Sequence, residues 1–216
     1  MNNIIIFTGK SGSGKDSAKV YSIENYDVNF VISSTTRPIR SNEQDGVDYN
    51  YVTEESFMDS IHANEFLEYR KYFTELGIWY YGTPYKAFNT ENSYAVIKDL
   101  QGAIELKNQL SNKFSVKIVC ISRPDALRKY GAILRDKNFN EAEWNRRLIQ
   151  DEIDFNDNVV SNNCDYFINN SMEESEFHSN IDNIMTTLGI KSRKEPIWEQ
   201  TIRQYMQFMG YPQRTH

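Results

Sequence analysis

Short apolar runs alternate with longer stretches of helical periodicity along most of this 216-residue chain. Runs rich in β-branched and aromatic residues predict core strands at residues 4–7, 28–34, 94–97, 116–121 and 165–169. Apolar residues at helical spacing predict helices over residues 16–22, 53–64, 124–129, 141–157 and 172–188, and over a stretch that ends near residue 110. This alternation predicts an α/β fold with a mostly parallel sheet that is covered on both faces.

Two regions depart from this simple alternation. Further strand patterns occur at residues 66–73 and 78–83, between the second and third core strands. After residue 189, a basic linker leads to apolar positions near helical spacing over residues 197–209. These positions predict an added amphipathic helix that packs on the body of the protein or on a second subunit.

A glycine-rich segment at residues 9–16 reads Gly-Lys-Ser-Gly-Ser-Gly-Lys-Asp and directly follows the first predicted strand. Strand, glycine-rich loop and helix is the order that a phosphate-binding P-loop requires, because loop N–H groups and the helix N-terminus bind anionic oxygens. Lys15 is predicted to reach the β- and γ-phosphates of ATP, whereas Asp16 stands where the motif has a hydroxyl residue. The predicted ATP-binding residues of this loop are Ser11, Gly12, Ser13, Gly14, Lys15, Asp16 and Ser17.

A second dense group of hydrogen-bond donors follows the second strand. Arg37 and Arg40 lie three residues apart, directly after the hydroxyl residues 33–36. Pro38 holds Arg37 in an extended conformation, so this segment is a turn or an extended stretch. Guanidinium groups bind phosphate dianions in bidentate fashion, and the hydroxyl of Tyr49 can add another donor. The cluster therefore predicts a second phosphate site.

Composition narrows the class of protein. The net charge of −6 argues against a nucleic-acid-binding surface. No apolar run approaches the ~20 residues of a membrane span, and the N-terminus lacks the pattern of a signal peptide. Cys120 and Cys164 are expected to be reduced, small hydrophobic residues, and the three histidines are too scattered to predict a zinc site. We therefore expect a cytoplasmic protein that binds neither nucleic acid nor membrane.

Six ordered segments of the chain resemble the guanylate kinase family, across about residues 4–188. They are residues 33–40 (Ser-Ser-Thr-Thr-Arg-Pro-Ile-Arg), 46–49 (Gly-Val-Asp-Tyr), 66–68 (Phe-Leu-Glu), 80–83 (Tyr-Tyr-Gly-Thr), 99–102 (Asp-Leu-Gln-Gly) and 165–168 (Asp-Tyr-Phe-Ile). The resemblance implies Mg²⁺-dependent transfer of the γ-phosphoryl group of ATP to GMP or dGMP. It also implies a P-loop core at residues 1–32, 84–124 and 146–190, a nucleoside-monophosphate-binding domain at 33–83 and a lid at 125–145, which leaves 191–216 as a helical extension.

The same resemblance implies roles for individual residues. It places the acceptor phosphate on Arg37, Arg40, Tyr49 and Tyr81, and it places guanine on Ser33, Glu68, Thr83 and Asp99. Arg135, after a one-residue shift, and Arg147 are the implied lid arginines, and Asn170 is the implied contact to adenine. The implied catalytic residues are Lys15, Arg37, Arg135 and Arg147.

The chemistry of guanine agrees with these residue types. Guanine presents its N1–H and N2–H₂ donors side by side, and ionised Glu68 and Asp99 are pure acceptors. The hydroxyls of Ser33 and Thr83 can donate to the O6 of guanine. Adenine offers the opposite pattern at this edge, so carboxylates are expected to reject it.

Two positions depart from the family, and they leave the substrate open. Asp16 replaces a Mg²⁺-binding Ser or Thr, and Ile97 stands where the core strand of the family carries an Asp near the metal. We hypothesise that this carboxylate has moved to Asp16, which would then hold Mg²⁺. The Gly-Lys-Asp loop also resembles ribose 1,5-bisphosphate phosphokinase and phage deoxynucleoside monophosphate kinases. A non-catalytic guanylate-kinase-like binding module is the third alternative, and either a monomer or a homodimer is expected.

Overall fold

A computed structural model describes residues 1–40, 43–74, 77–135, 139–171 and 173–193. Its centre is a five-stranded parallel sheet with the strand order β2-β7-β1-β8-β9. These strands are β1 (Asn3–Thr8), β2 (Asn29–Phe30), β7 (Tyr94–Ile97), β8 (Ser115–Ser122) and β9 (Tyr166–Asn169). The predicted α/β class with a mostly parallel sheet is confirmed.

Helices cover both faces of this sheet because side chains of successive strand residues point to opposite sides. Ile5 and Phe7 face α1 (Lys15–Asn25) and α7 (Glu174–Thr187), whereas Ile4 and Ile6 face α3 (Leu100–Leu110). The side chains of β1 between residues 4 and 7 are all nearly fully buried. This burial fixes the end of β1, where the glycine-rich segment begins.

A second sheet of four strands in the order β4-β3-β6-β5 lies between β2 and β7 in the chain. It contains β3 (Ser34–Thr35), β4 (Asn50–Tyr51), β5 (Phe66–Thr74) and β6 (Gly77–Pro84). The helix α2 (Glu54–His62) begins after Thr53, whose side chain accepts a hydrogen bond from the Ser56 N–H as an N-cap. Phe57 of this helix is fully buried and stacks on Phe66.

The remaining helices are α4 (Asp125–Arg135), α5 (Glu141–Asp154) and α6 (Asp157–Asn163). The predicted helix over residues 141–157 is too long, because α5 ends at Asp154. Asn156 then caps the separate helix α6, since its side chain accepts from the Asn158 N–H. The predicted helix over residues 124–129 extends further in the structure, to Arg135 at the end of α4.

The single strand predicted over residues 28–34 is wrong. Its first half forms β2 in the parallel sheet, and its end, Ser34, begins β3 in the second sheet. Both halves have strand-forming residues, so the sequence pattern does not show that residues 31–33 connect two sheets. The predicted amphipathic helix at 197–209 lies outside the described residues.

None of the helices that the structure describes is both long enough and apolar enough to cross a membrane.

Candidate active site

The glycine-rich segment forms a tight loop between β1 and α1. Gly14 adopts φ +106° directly before the helix, a conformation that residues with a Cβ rarely adopt. Asn170, at the end of β9, donates from Nδ2 to the Ser13 carbonyl at 2.8 Å and leaves no space for a side chain at Gly14. The structure therefore places Asn170 against the loop backbone.

Lys15 is folded onto its own loop. Its ammonium donates to the Gly9 carbonyl at 2.7 Å and to the Lys10 carbonyl at 3.0 Å. Burial lowers the pKa of Lys15 below its ordinary value, while the carboxylates of Asp16 and Asp151 oppose that change. A phosphate that enters the loop would replace weak carbonyl acceptors with full negative charge.

A buried ion pair that the sequence analysis missed supports the loop from the opposite side. Arg128 of α4 is 0% exposed and donates from NH1 to the Ser11 carbonyl at 2.7 Å and to Asp151 Oδ2 at 2.9 Å. Asp151 of α5 accepts from the Ser11 N–H at 2.8 Å. The pair thereby connects two helices to the phosphate-binding loop.

Arg37 is the centre of the second polar cluster. Its side chain is 4% exposed, donates from Nε to the Tyr81 hydroxyl at 3.1 Å, and donates from NH2 to Glu43 at 2.7 and 2.9 Å. Burial opposes the negative charge of Glu43. Hydrogen bonds from Arg37, Tyr51 and the Arg40 N–H outweigh it and lower the pKa of Glu43 to about 2. Glu43, another residue that the sequence analysis missed, thus fixes the orientation of Arg37.

Arg40 and Tyr49 complete the cluster in different ways. The Arg40 guanidinium is 60% exposed and lies 3.9 Å from Glu43 Oε1, so it can move toward a ligand. The ring of Tyr49 contacts the edge of the Tyr81 ring, and burial raises the pKa of Tyr49 to about 12. Its hydroxyl therefore stays protonated and can donate to a phosphate.

Arg37→Ala and Arg40→Ala are expected to separate binding from stability. Each should raise the acceptor KM about 10–100-fold, because hydrogen bonds to charged groups contribute about 1.5–3 kcal/mol, while the KM for ATP stays unchanged. Only Arg37→Ala should also destabilise the fold, by about 1–3 kcal/mol, because Glu43 then keeps, among the described residues, only Tyr51, the Arg40 N–H and the more distant Arg40 guanidinium as partners. Steady-state kinetics and urea unfolding measure both effects. Unchanged acceptor kinetics in both variants would remove the cluster from the site.

A third group of polar side chains converges between the two sheets. Thr83 donates from Oγ1 to Glu68 Oε1 at 2.5 Å, and the Ser33 and Thr83 hydroxyls lie 3.4 Å apart. All three side chains are almost completely buried. Lys98, which the sequence analysis did not select, places its ammonium among them, 2.8 Å from Glu68 Oε1. The structure thus brings three of the predicted guanine residues together with an unpredicted cation.

Asp99, the fourth predicted guanine residue, is the N-cap of α3. Its Oδ1 accepts from the Gly102 N–H at 2.6 Å, and its Oδ2 accepts from the Tyr72 hydroxyl. Burial raises the pKa of Tyr72 well above its ordinary value, with Asp99 adding to the effect, so this hydroxyl remains a donor. A Cβ at Gly102 would lie 2.9 Å from Asp99 Oδ1 and 3.4 Å from Glu68 Oε2. Gly102 therefore avoids a clash with Asp99 and leaves space beside both carboxylates.

The predicted lid arginines face the glycine-rich loop. Arg135 NH1 lies 3.9 Å from Asp16 Oδ2, and both side chains are mostly exposed. Arg147 donates from Nε to Glu143 Oε1 at 2.8 Å. Hydrogen bonds from Arg146 and Arg147 outweigh burial and lower the pKa of Glu143 to about 2. Glu143 thus holds Arg147 in place as Glu43 holds Arg37.

Two adjoining cavities connect these groups. The larger has a volume of about 610 Å³ and reaches from Lys15 and Asp16 to Arg37, Glu68 and Asp99. The smaller, of about 350 Å³, lies beside α4 and is lined by Gly12, Gly14 and Ser17. Lys15, Asp16, Arg135 and Arg147 line both cavities. The groups at this boundary are suited to a phosphate shared between two ligands.

The fold and this site define the class of protein: a kinase built on a P-loop, with one cavity on each side of the loop lysine. Comparisons with known proteins agree. The guanylate kinase family model matches residues 1–181. A guanylate kinase of Helicobacter hepaticus is 32% identical over 172 residues, which cover 77% of this chain and 82% of that protein. A guanylate kinase of Malacoplasma penetrans is 32% identical over 153 residues, or 68% of this chain and 75% of that protein.

The chain belongs to the guanylate kinase family. The crystal structure of a guanylate kinase from Anaplasma phagocytophilum has a TM-score of 0.56 and 21% identity, and the match covers 87% of this chain and 84% of that chain. This likeness independently supports the fold. By its family membership, the protein is an ATP-dependent nucleoside monophosphate kinase.

Proposed function

We propose that this protein transfers the γ-phosphoryl group of ATP to GMP or dGMP. The observation that carries the proposal is a single cavity that joins the P-loop lysine, an arginine cluster and a buried carboxylate. Lys15 lies at its boundary with the smaller cavity, and Arg37 lies on the wall. Glu68 lies in the part of the larger cavity lined by Ser33, Lys98 and Asp99, which we call the base pocket. The smaller cavity beside α4 suits the donor nucleotide, and the larger one suits the acceptor.

The base pocket favours guanine. Thr83 and Lys98 both contact Oε1 of Glu68, and among the described residues no hydrogen bond is made to its Oε2. That oxygen can accept from the N1–H and N2–H₂ of guanine, which are neighbouring donors. Asp99 already accepts hydrogen bonds on both of its oxygens, so its contribution to the base depends on their second lone pairs.

Phosphoryl transfer then requires positioning and charge compensation. The phosphate of the acceptor is itself an anionic nucleophile, so no general base is needed. Lys15 would bind the transferring group, Arg37 and Arg40 would hold the acceptor phosphate, and the lid residues Arg135 and Arg147 would approach from the opposite side. Fixed positive groups in a site that excludes water stabilise the charge that develops in the transition state.

We infer that Asp16 holds Mg²⁺, which would neutralise phosphate charge when bound. The side chain of Asp16 is 78% exposed, lines both cavities, and has Arg135 at 3.9 Å as its ion-pair partner among the described residues. Its carboxylate is thus available to a ligand. Among the described residues no cluster of three metal-binding side chains occurs, which suits an ion that takes one carboxylate and keeps several waters.

Asp16→Ser is expected to raise the half-saturating Mg²⁺ concentration roughly tenfold, equivalent to about 1.4 kcal/mol, and to lower activity. Ile97→Asp in the same chain should recover part of the loss, because Ile97 lines the same cavity. Calorimetry of ATP binding with and without Mg²⁺ gives a readout that is independent of turnover. Identical Mg²⁺ titrations for the parent and Asp16→Ser would exclude the assignment.

The direct test of function is a coupled assay with ATP and Mg²⁺ and a panel of acceptors. The panel contains GMP, dGMP, AMP, dTMP and ribose 1,5-bisphosphate. We expect one of the guanine nucleotides to have the highest kcat/KM. A higher value for AMP, dTMP or the sugar phosphate would reassign the protein to another small-molecule kinase. Binding without turnover of any acceptor would favour the non-catalytic alternative.

We also propose the domain bounds given above, with residues 33–83 as the acceptor-binding domain and residues 125–145 as the lid. Their support is that β3 to β6 form a separate sheet and that α4 ends in Arg135, which lies 3.9 Å from Asp16 of the loop. The cytoplasmic location and the monomeric or homodimeric state stay predictions.

A further inference from the structure

Lys98 lies in the base pocket, and the proposed reaction does not account for a lysine at this position. It directly follows β7 in the parallel sheet, yet its ammonium contacts side chains from three other segments. The Nζ lies 2.8 Å from Glu68 Oε1 and 3.1 Å from Ser33 Oγ, and it donates to Thr83 Oγ1 as well. The Lys98 side chain is 10% exposed and lines the larger cavity.

The chemistry of an ammonium group determines the direction of the hydrogen bonds around it. Lys98 has three N–H donors and no acceptor, whereas a hydroxyl can donate or accept. Ser33 and Thr83 must therefore accept from Lys98. Thr83 uses its own hydrogen for Glu68 Oε1 at 2.5 Å. Among the described residues, the hydroxyl hydrogen of Ser33 has one nearby acceptor, Thr83 Oγ1 at 3.4 Å, which is a long contact.

We propose that Lys98 is a positioning residue that makes Ser33 a hydrogen-bond donor toward the base of the acceptor nucleotide. Beside it, Oε2 of Glu68, which accepts no hydrogen bond from the described residues, is an acceptor. A base that matches both groups carries a carbonyl oxygen next to a ring N–H, as the 6-oxopurines guanine and hypoxanthine do. A 6-aminopurine presents a donor where the Ser33 oxygen already accepts from Lys98, so it forfeits the hydrogen bond from Ser33 and is disfavoured. The inference rests on the proposed acceptor site and specifies the substrate class that it selects.

Without Lys98, the Ser33 hydroxyl can rotate and accept from an amino group. Lys98→Met keeps the length of the side chain and removes the donors. The probe is 2,6-diaminopurine ribonucleoside 5′-monophosphate, which keeps the 2-amino group of GMP and carries an amino group at position 6. The preference for GMP over this nucleotide, as a ratio of kcat/KM values, should fall at least about tenfold in Lys98→Met.

A second variant shows whether Lys98 acts through Ser33. In a Ser33→Ala background, Lys98→Met should change the same ratio by less than about threefold, because residues that act through one contact are not additive. Lys98→Arg keeps the charge and several donors, and it should retain more of the preference than Lys98→Met. The matched control is Lys117→Met, whose side chain lies 3.7 Å from Asp165 and outside both cavities.

Calorimetric Kd values for GMP and the diaminopurine nucleotide give the same ratio without turnover, and circular dichroism verifies folding. An unchanged ratio in Lys98→Met overturns the inference, even if activity toward both nucleotides falls equally, because that result indicates a purely structural role. If Lys98→Met does not fold, Lys98→Arg and Ser33→Ala take its place. A Lys98→Arg ratio equal to that of the parent, together with a lower ratio in Ser33→Ala, supports the inference. An unchanged ratio in Ser33→Ala overturns the inference. Failure of the parent to phosphorylate GMP would refute the proposed function as well, and the parent assay alone detects that case.

Discussion

Lys15→Met is expected to lower kcat by at least about 10²–10³-fold, the loss seen when one preorganised group that stabilises transition-state charge is removed. Lys15 is a half-buried cation at the boundary of the two cavities. Among the described residues that line them, no other residue of the loop supplies a full positive charge there. The acceptor Kd should change little, because Arg37 and Arg40 lie on the other wall of the cavity. A coupled assay at saturating substrates measures the effect.

The matched control for Lys15 is Lys10→Met in the same loop. The Lys10 ammonium pairs with Glu152, whose side chain is 66% exposed, so its loss should change kcat by less than about threefold. If Lys15→Met kept more than a tenth of the parental kcat, the loop would not be the donor phosphate site.

The second large effect is expected for the ion pair beneath the loop. Asp151→Leu should lower the free energy of unfolding by about 2–3 kcal/mol, because the fully buried Arg128 loses its partner from α5. Among the described residues, Arg128 then keeps only Asp125 as an ion-pair partner, whose side chain is 69% exposed. It also removes the acceptor for the Ser11 N–H. Adding Arg128→Met should restore most of the stability, since well-packed apolar side chains can replace a buried pair.

Urea unfolding of the two single variants and the double variant gives this result directly. Glu152→Gln, at the neighbouring exposed position, is the control and should change stability by less than about 0.5 kcal/mol. Equal stabilities of Asp151→Leu and Glu152→Gln would show that the buried pair has no net role.

The parallel core was predictable because each strand and helix contains its own periodicity. The run at β1 and the spacing along α3 and α7 are local properties of the sequence, and the structure reproduces them. The glycine-rich loop was equally visible, since its residues are contiguous. The division of residues 28–34 was not predictable, because two strand-forming halves that enter different sheets have the same local pattern as one strand.

The charged partners of the site could not be predicted for a different reason. Asp151 lies 23 residues from Arg128, and no spacing rule connects residues so far apart. Lys98 follows an apolar strand, and its partners Glu68 and Ser33 lie 30 or more residues away, so the local pattern does not connect them. Glu43 was closer to detection, since it lies six residues after Arg37 within the donor cluster. A search for an acid that compensates each candidate anion-binding arginine would have found it.

The chain leaves the parallel sheet through residues 31–33, forms the four-stranded sheet, and returns through residues 85–93. The strands that flank this segment, β2 and β7, pair with each other. Its two attachment points are therefore neighbours, so the segment can be lengthened, shortened or exchanged during evolution while the parallel sheet stays intact. New acceptor specificities can arise in this way on an old ATP-binding core. The Lys98–Glu68 ion pair crosses that boundary, and an exchanged segment must therefore supply a compatible partner for Lys98 or the lysine must change with it.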